Sequence, residues 1–391
     1  MSTQPKQIVV IGGGYVGIQF AQELAKFLPA SAASITVIEK NEFTYHCVGV
    51  PRALVDPTFV KKLFIPVANA LPASHSKVIR GIADAIEGNE VRVRKIGDNN
   101  VVDETTSNVP FDYLILATGS SYVSPIKVPS GSYTRENIEN AIVDTANHIK
   151  AASSVLIIGG GPVGVEIAGE IAVAFPDKTV TILDAHDKLI GNSALTDKFR
   201  NNLTARLNAL KVKLVLGERL PTREIAHGFE KKTVQTDKGT SIESDVQLVA
   251  AGSTPNAALI QKLDPALLTE HGAVKVTAGL QLDDPRFSTI FAIGDVNNHA
   301  TPKLAYTGAL QAKHLAKQLA TVIKAGSGAV APYVTGAVEG MIVPLGPTGG
   351  VGQLPLFGGV VVGNFVVRLA KAKDYFAAQF WGLWHAVLPT A

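Results

Sequence analysis

Two glycine-rich phrases carry the residues best suited to chemistry: QIVVIGGGYVGIQFAQELAK, beginning at Gln7, and SVLIIGGGPVGVEIAGEIAV, beginning at Ser154. In each, a β-branched run leads into glycines at GxGxxG spacing and then into apolar residues at helical spacing. Gly12, Gly14 and Gly17 in the first phrase, and Gly159, Gly161 and Gly164 in the second, stand where that pattern needs a tight turn, close approach of backbone to a pyrophosphate, and close helix–strand packing. The first amides of the following helix then face the phosphate, and Pro162 fits the first helical turn because its missing N–H has no partner there. Further on, ITVIEK supplies Glu39 and VTILDAH supplies Asp184, acids placed to hold ribose hydroxyls. A single match is often only a packing corner. Two, each with its acid, point to two dinucleotides used in sequence, and a bound flavin with a visiting nicotinamide is the most economical pair.

Such elements need room. The chain has 391 residues, enough for two or three domains of about 150 residues. With 46% hydrophobic and 18% charged residues it can bury large cores, which excludes disorder as its main state. The net charge of +3, without a basic block, gives nucleic acid little to bind. Cys47 is the sole cysteine, so an internal disulfide, a CxxC pair and a thiolate metal site are all excluded, and no metal is expected. A reducing, cytoplasmic setting follows. No secretory leader stands at the N-terminus. The uncharged stretch from Met341 to Val367 is broken by seven Gly and three Pro, which suits short strands and turns and not a membrane span.

Two further phrases fit the same plan: DYLILATGS, where the strand from Tyr113 to Ala117 runs into Thr118 and Gly119, and STIFAIGDV, ending in Gly294 and Asp295. Together with the glycine turns they resemble the two-dinucleotide-binding flavoprotein reductases, over residues 7 to about 325. In that superfamily the first phrase marks the exit from the flavin domain and the second sets an Asp near the flavin's ribityl chain and pyrophosphate. AAGSTPN, Ala250 to Asn256, looks like the return crossover. Asp295 also suits a helix cap, and the two roles are compatible. The fold class implied is α/β, with two Rossmann-like domains of glutathione-reductase type and a small C-terminal α+β cap. The flavin domain is expected over 1–123 and 254–325, the NAD(P)H domain over 124–253, and the cap over 326–391.

Disulfide reductases of this superfamily need two cysteines after the first Rossmann unit, whereas FTYHCVGVPR offers only Cys47. That excludes a dithiol mechanism. A single-cysteine NADH peroxidase or oxidase, working through a sulfenic acid, remains an alternative, as does a small apolar filler.

The second half adds TVQTDKGTSIESDVQLVAAG, then TPKLAY at Thr301–Tyr306, then VRLAKAKD around Lys371. With these the chain resembles, nearly end to end, the ferroptosis-suppressor or apoptosis-inducing-factor-like family, related to the type II NADH:quinone reductases. The resemblance implies FAD as bound cofactor, NADH or NADPH as co-substrate, and two-electron reduction of a membrane quinone of the ubiquinone or vitamin K type to a radical-trapping quinol, with ping-pong kinetics. It assigns flavin contacts to Gly12, Gly13, Gly14, Tyr15, Val16, Gly17, Glu39, Arg52, Ile79 and Asp295, with Arg52 meeting an FAD phosphate or a backbone carbonyl. Glu166, early in the second glycine-turn helix, is implied beside nicotinamide and flavin, with Glu170 four residues on. Lys371 and His46 match a lysine and a histidine near the flavin ring, and a lysine there could stabilise negative charge on a reduced ring or quinone oxygen. Asp184 favours NADH by repelling a 2′-phosphate, while His186 and Lys188 soften that preference.

A different class of function also fits, a flavin redox-sensing or death-signalling binding protein with incidental turnover. For the enzyme, a tailed quinone demands peripheral membrane contact without a span. Trp381, Trp384, Phe376, Phe380, Leu383 and Val387, with Lys371 and Lys373, suggest an amphipathic C-terminal helix at the headgroup boundary. The same stripe could instead dock on the flavin domain or on a second subunit in a homodimer. Animal relatives begin Met-Gly and are myristoylated; Ser2 follows Met1 here, so that anchor is not expected.

Overall fold

The computed structural model describes residues 4–97, 99–129, 131, 133–191, 193–222, 224, 226–336 and 338–390, so Met1 and Ser2 lie outside the described residues. The first β-branched phrase forms the strand Lys6–Ile11, buried over Ile8–Ile11, as a central strand covered on both faces must be. It pairs in parallel with Ala33–Glu39 on one side and Tyr113–Leu116 on the other. The full sheet runs Ile290–Ala292, Tyr113–Leu116, Lys6–Ile11, Ala33–Glu39, Ser76–Glu87, Glu90–Ile96, Val102–Pro110. Its last two pairings are antiparallel and form a flap beyond the parallel core. A strand from near residue 290 thus completes a sheet begun at residue 6.

A second parallel sheet takes Lys213–Leu216, Thr179–Asp184, Ser154–Ile158 and Val246–Val249 in that order. Where the chain leaves the first sheet and where it returns, the short strands Ser120–Ser121 and Thr254–Pro255 pair antiparallel. The two crossovers are fastened further by Thr118 Oγ1 donating to the Asn256 carbonyl at 2.7 Å and Asn256 Nδ2 donating to the Thr118 carbonyl at 2.9 Å. A three-stranded antiparallel sheet of Met341–Pro344, Gly350–Leu354 and Val360–Val362 follows. Helix Tyr15–Phe27 buries Ile18, Phe20, Ala21 and Leu24 against the long helix Ala305–Ala325, whose inward face is Ala312, Leu315, Ala316 and Leu319. That spacing of three and four residues is the apolar stripe of a helix packed on a core.

The expected terminal amphipathic helix is corrected. Ala377–Leu383 is a helix of seven residues, and its aromatic stripe faces inward. Trp384 is fully buried and donates from Nε1 to Thr44 Oγ1 at 2.8 Å, while Trp381 Nε1 donates to the Lys62 carbonyl at 3.0 Å. An indole buries a large apolar face once its N–H has a partner, and the first sheet's domain supplies both. Only Leu383 and Val387 of the stripe point to solvent.

Among the described residues, no helix is long and apolar enough to cross a membrane, and no group of His, Cys, Asp and Glu is set to hold a metal ion.

Candidate functional site: a dinucleotide cavity closed by the C-terminal segment

The two glycine turns are built alike. Gly12 and Gly159 adopt φ of +108° and +122°, a region closed to most side chains. A Cβ at Gly17 would stand 1.9 Å from the Gly12 carbonyl oxygen, and one at Gly164 would stand 2.0 Å from that of Gly159, so helix and turn could not close with any larger residue. Gly14 and Gly161 face open space, the cradle a pyrophosphate needs. Glu39 Oε2 accepts the Gly13 amide at 2.5 Å, and Asp184 Oδ2 accepts the Gly160 amide in the same way. Each acid therefore braces its own turn. Asp184 Oδ1 also accepts from the backbone N–H of His186 at 2.8 Å and meets His186 Nδ1 at 2.8 Å.

From the first turn a cavity of about 570 Å³ extends towards the second domain. Gly12, Gly13, Gly14, Tyr15, Val16, Glu39, Thr118, Gly119, Gly294, Asp295, Glu166 and Lys371 all line it, as do Asn41, Cys47, Lys127, Asn256 and Lys303. The residues fit a flavin dinucleotide. Asn41 Oδ1 is buried on this wall without a hydrogen-bond partner, beside the acid that suits a ribose, and such an atom calls for a ligand. At the other end Asp295 Oδ2 accepts from Ser120 Oγ at 2.7 Å and from Lys127 Nζ at 3.2 Å. Burial is the main cause that pushes the Glu39 carboxyl up, offset by the amides of Asn41 and Gly13.

Helix Pro162–Ala174 is buried from Gly164 to Ala172 and presents two carboxylates four residues apart. Glu166 reaches the cavity, where Lys371 Nζ stands 2.6 Å from its Oε1. Burial raises the Glu166 pKa, Lys371 opposes the rise, and the Glu170 charge adds to it. Behind this pair Arg52 grips Glu170 through Nε and Nη2 at 2.7 and 2.8 Å. Tyr375 Oη donates to the same carboxylate at 2.9 Å.

Not every expected residue reaches the cavity. Arg52 does not line the cavity: of the two partners expected for it, it meets a backbone carbonyl, that of Ala372 at 2.9 Å, and the rest of its guanidinium is spent on Glu170 of the packed helix. Ile79 pairs with Ile38 in the sheet and packs in the second core, while Gly81, Ile82 and Ala83 of the same strand form the wall. His46 lies behind the wall, fully buried; its Nε2 can only donate to the Tyr375 carbonyl, 2.9 Å away, so its Nδ1 accepts from Tyr15 Oη at 2.8 Å. Burial pulls its pKa down to about 4, so the ring is neutral. Tyr15, which His46 orients, forms the wall itself, its ring tilted by 35° against that of Phe380 with 4.4 Å between ring centres. Gly159, Gly161, Gly164 and Asp184 lie outside this cavity, at the second turn.

Lys127, Ser120, Asn41 and Asn256 escaped the sequence reading. Asn256 ends the STPN phrase and Ser120 follows the ATG phrase, so those two had a positional signal; Lys127 and Asn41 had none.

Two adjoining nucleotide cradles, one opening into a cavity closed by a third segment, define a flavoprotein that takes electrons from a nicotinamide. Residues 6–312 match the model of the pyridine nucleotide-disulphide oxidoreductases, and the chain belongs to that family. It is similar to apoptosis-inducing factor homolog B of Dictyostelium discoideum, at 29% identity over 97% of each chain. It is 29% identical to human ferroptosis suppressor protein 1 over 96% of this chain and 94% of that one. A FAD-dependent oxidoreductase of Flammulina velutipes is 31% identical over 80% of this chain and 92% of that one. Among solved structures, the sulfide:quinone oxidoreductase of Aquifex aeolicus shares the fold, with a TM-score of 0.76 at 15% identity over 98% of this chain and 93% of that one. The protein is thus a FAD-dependent NAD(P)H oxidoreductase of the two-dinucleotide-binding type.

Proposed function

We infer that the acceptor is an apolar quinone of the ubiquinone or vitamin K type, reduced by two electrons to a radical-trapping quinol. The observation that carries this reading is the Lys371–Glu166 pair in the cavity wall, 2.6 Å apart and nearly buried, in a chain with no cysteine pair to receive electrons. When bound, the flavin supplies the two-electron relay between nicotinamide and acceptor. Reducing a quinone with NAD(P)H consumes one further proton, and charge accumulates on a quinone oxygen before that proton arrives. Lys371, its side chain nearly buried, offers a fixed cation to that oxygen. Glu166, its carboxyl held above the ordinary range by burial, is suited to hold the proton. Tyr15, Val48, Ile126, Val163 and Leu304 supply the apolar wall. The likeness to ferroptosis suppressor protein 1 and the fold shared with a sulfide:quinone oxidoreductase support the reading.

Cys47 favours a second reading because its thiol lines the same cavity. Burial pushes that thiol up, which leaves little thiolate to attack a peroxide. Anaerobic stopped-flow separates the readings: the flavin is reduced with NADH and mixed with a short-chain ubiquinone, with hydrogen peroxide, or with buffer. Fast reoxidation by quinone alone supports the reductase. Fast reoxidation by peroxide, lost in Cys47→Ser, replaces it with the peroxidase, and no fast acceptor replaces it with a redox sensor.

A further inference from the structure

The helix Asn364–Val367 runs on into a π-helical turn, Arg368–Ala372, from which Lys371 reaches the cavity. Such turns are uncommon and gather at functional sites. The chain then bends through two bulky residues in the left-handed region, Tyr375 at φ +52° and Phe376 at φ +65°. That conformation costs free energy for a residue with a large side chain, so the surroundings must hold it. They hold Tyr375 at every polar atom. Its N–H donates to the Lys371 carbonyl at 2.6 Å, its carbonyl accepts from His46 Nε2 at 2.9 Å, and its hydroxyl donates to Glu170 Oε1 at 2.9 Å. Two cations pack on its ring, with Arg52 Cζ 5.3 Å and Lys371 Nζ 5.5 Å from the ring centre.

Glu166 and Glu170 stand one turn apart on a buried helix, their side chains 6% and 1% exposed, and two carboxylates so placed compete for a proton. Their partners are unequal. Glu170 accepts from Arg52 Nε, Arg52 Nη2 and the Tyr375 hydroxyl, whereas among the described residues Glu166 meets Lys371 alone. Hydrogen bonds to a charged carboxylate favour the charge, so the proton goes to Glu166. Burial pushes the Tyr375 phenol well above its ordinary range, which keeps it a donor. The other charged groups packed here are Asp56, acting on Arg52, and Asp374, acting on His46, whose ring is neutral.

We propose that Tyr375 is a positioning residue for reduction of the acceptor: its hydroxyl, spent on Glu170, leaves Glu166 as the carboxylate that holds the proton, with Lys371 seated beside it. The proposal rests on the quinone reading. A quinone, NAD(P)H and one H⁺ give a quinol and NAD(P)⁺; the hydride brings both electrons and one proton, and Glu166 gives the other proton and recovers it from water. A proton on Glu170 cannot serve, because Glu170 does not line the cavity.

The test is reoxidation of the NADH-reduced holoenzyme by a short-chain ubiquinone, followed by anaerobic stopped-flow as a function of pH. Tyr375→Phe keeps the ring that Lys371 packs on and removes only the hydroxyl. With that donor gone Glu170 competes for the proton, so the plateau rate at low pH is expected to fall about threefold while the midpoint of the profile moves up by about half a unit. A lower plateau with the midpoint in place would mean damage to packing alone and overturn the proposal. In the Glu166→Gln background, Tyr375→Phe is expected to change neither the rate nor the pH dependence that remains, since there is no proton left for it to direct. A loss of equal size in both backgrounds would assign Tyr375 a purely structural role and overturn the proposal as well. Wild-type rate and midpoint in Glu166→Gln would overturn the reading of Glu166 on which the proposal rests. A slow Glu166→Gln, with Tyr375→Phe the same as wild type, would overturn the proposal and leave that reading standing.

Discussion

Glu166 and Glu170 stand one turn apart on a buried helix, and each is answered by a cation from a different part of the chain, Lys371 from the C-terminal segment and Arg52 from the first domain. Only the first pair faces the cavity. The two acids are therefore expected to separate by phenotype. Glu166→Gln keeps the shape and removes the charge; it should retain FAD and slow flavin bleaching by NADH, or reoxidation by quinone, by about tenfold or more. Full-rate bleaching and reoxidation in anaerobic stopped-flow would remove Glu166 from the mechanism.

Arg52→Met should instead act on stability. It leaves Glu170 buried with only the Tyr375 hydroxyl for company, and removing one partner of a buried pair costs about 3–5 kcal/mol. Chemical denaturation followed by flavin release checks this. A variant as stable as wild type would show that the Arg52–Glu170 pair adds nothing to stability.

Cofactor choice should follow Asp184. The Asp184→Asn variant keeps an oxygen for the Gly160 amide and removes the charge that repels a 2′-phosphate. The ratio of kcat/KM for NADPH over NADH is expected to rise about tenfold, or about 1.4 kcal/mol. An unchanged ratio would shift the selection to His186 or Lys188.

Acid should loosen the aromatic wall. Burial lowers the folded-state pKa of His46 from 6.5 to about 4, so the unfolded chain binds the proton more readily. Its stabilising effect is then fully present above pH 6.5 and fades as pH falls towards 4, a span worth on the order of 3 kcal/mol. His46→Gln should flatten the fall in Tm between these values relative to wild type. Parallel curves for the two proteins would count against it.

The elements that repeat were legible in the sequence. The glycine turns could be read because backbone geometry leaves no other residue at Gly17 or Gly164, and because Glu39 and Asp184 recur at matched positions. Contacts between distant segments were not. Arg52 is spent on Glu170, 118 residues away, and His46 on the Tyr375 carbonyl, 329 away; spacing carries no trace of either. The terminal aromatic stripe shows the same limit. Helical spacing of Trp381, Trp384 and Phe380 says that one face is apolar, yet what covers that face depends on Thr44 and the Lys62 carbonyl, which no periodicity can name.

Thr44 joins the first glycine turn to the terminal aromatic helix: its hydroxyl donates to the Gly13 carbonyl at 2.6 Å and receives the Trp384 indole N–H at 2.8 Å. The first glycine turn is thus propped by a side chain more than 300 residues further along the chain. A change at Trp384 is therefore felt at the Gly13 carbonyl through a single hydroxyl.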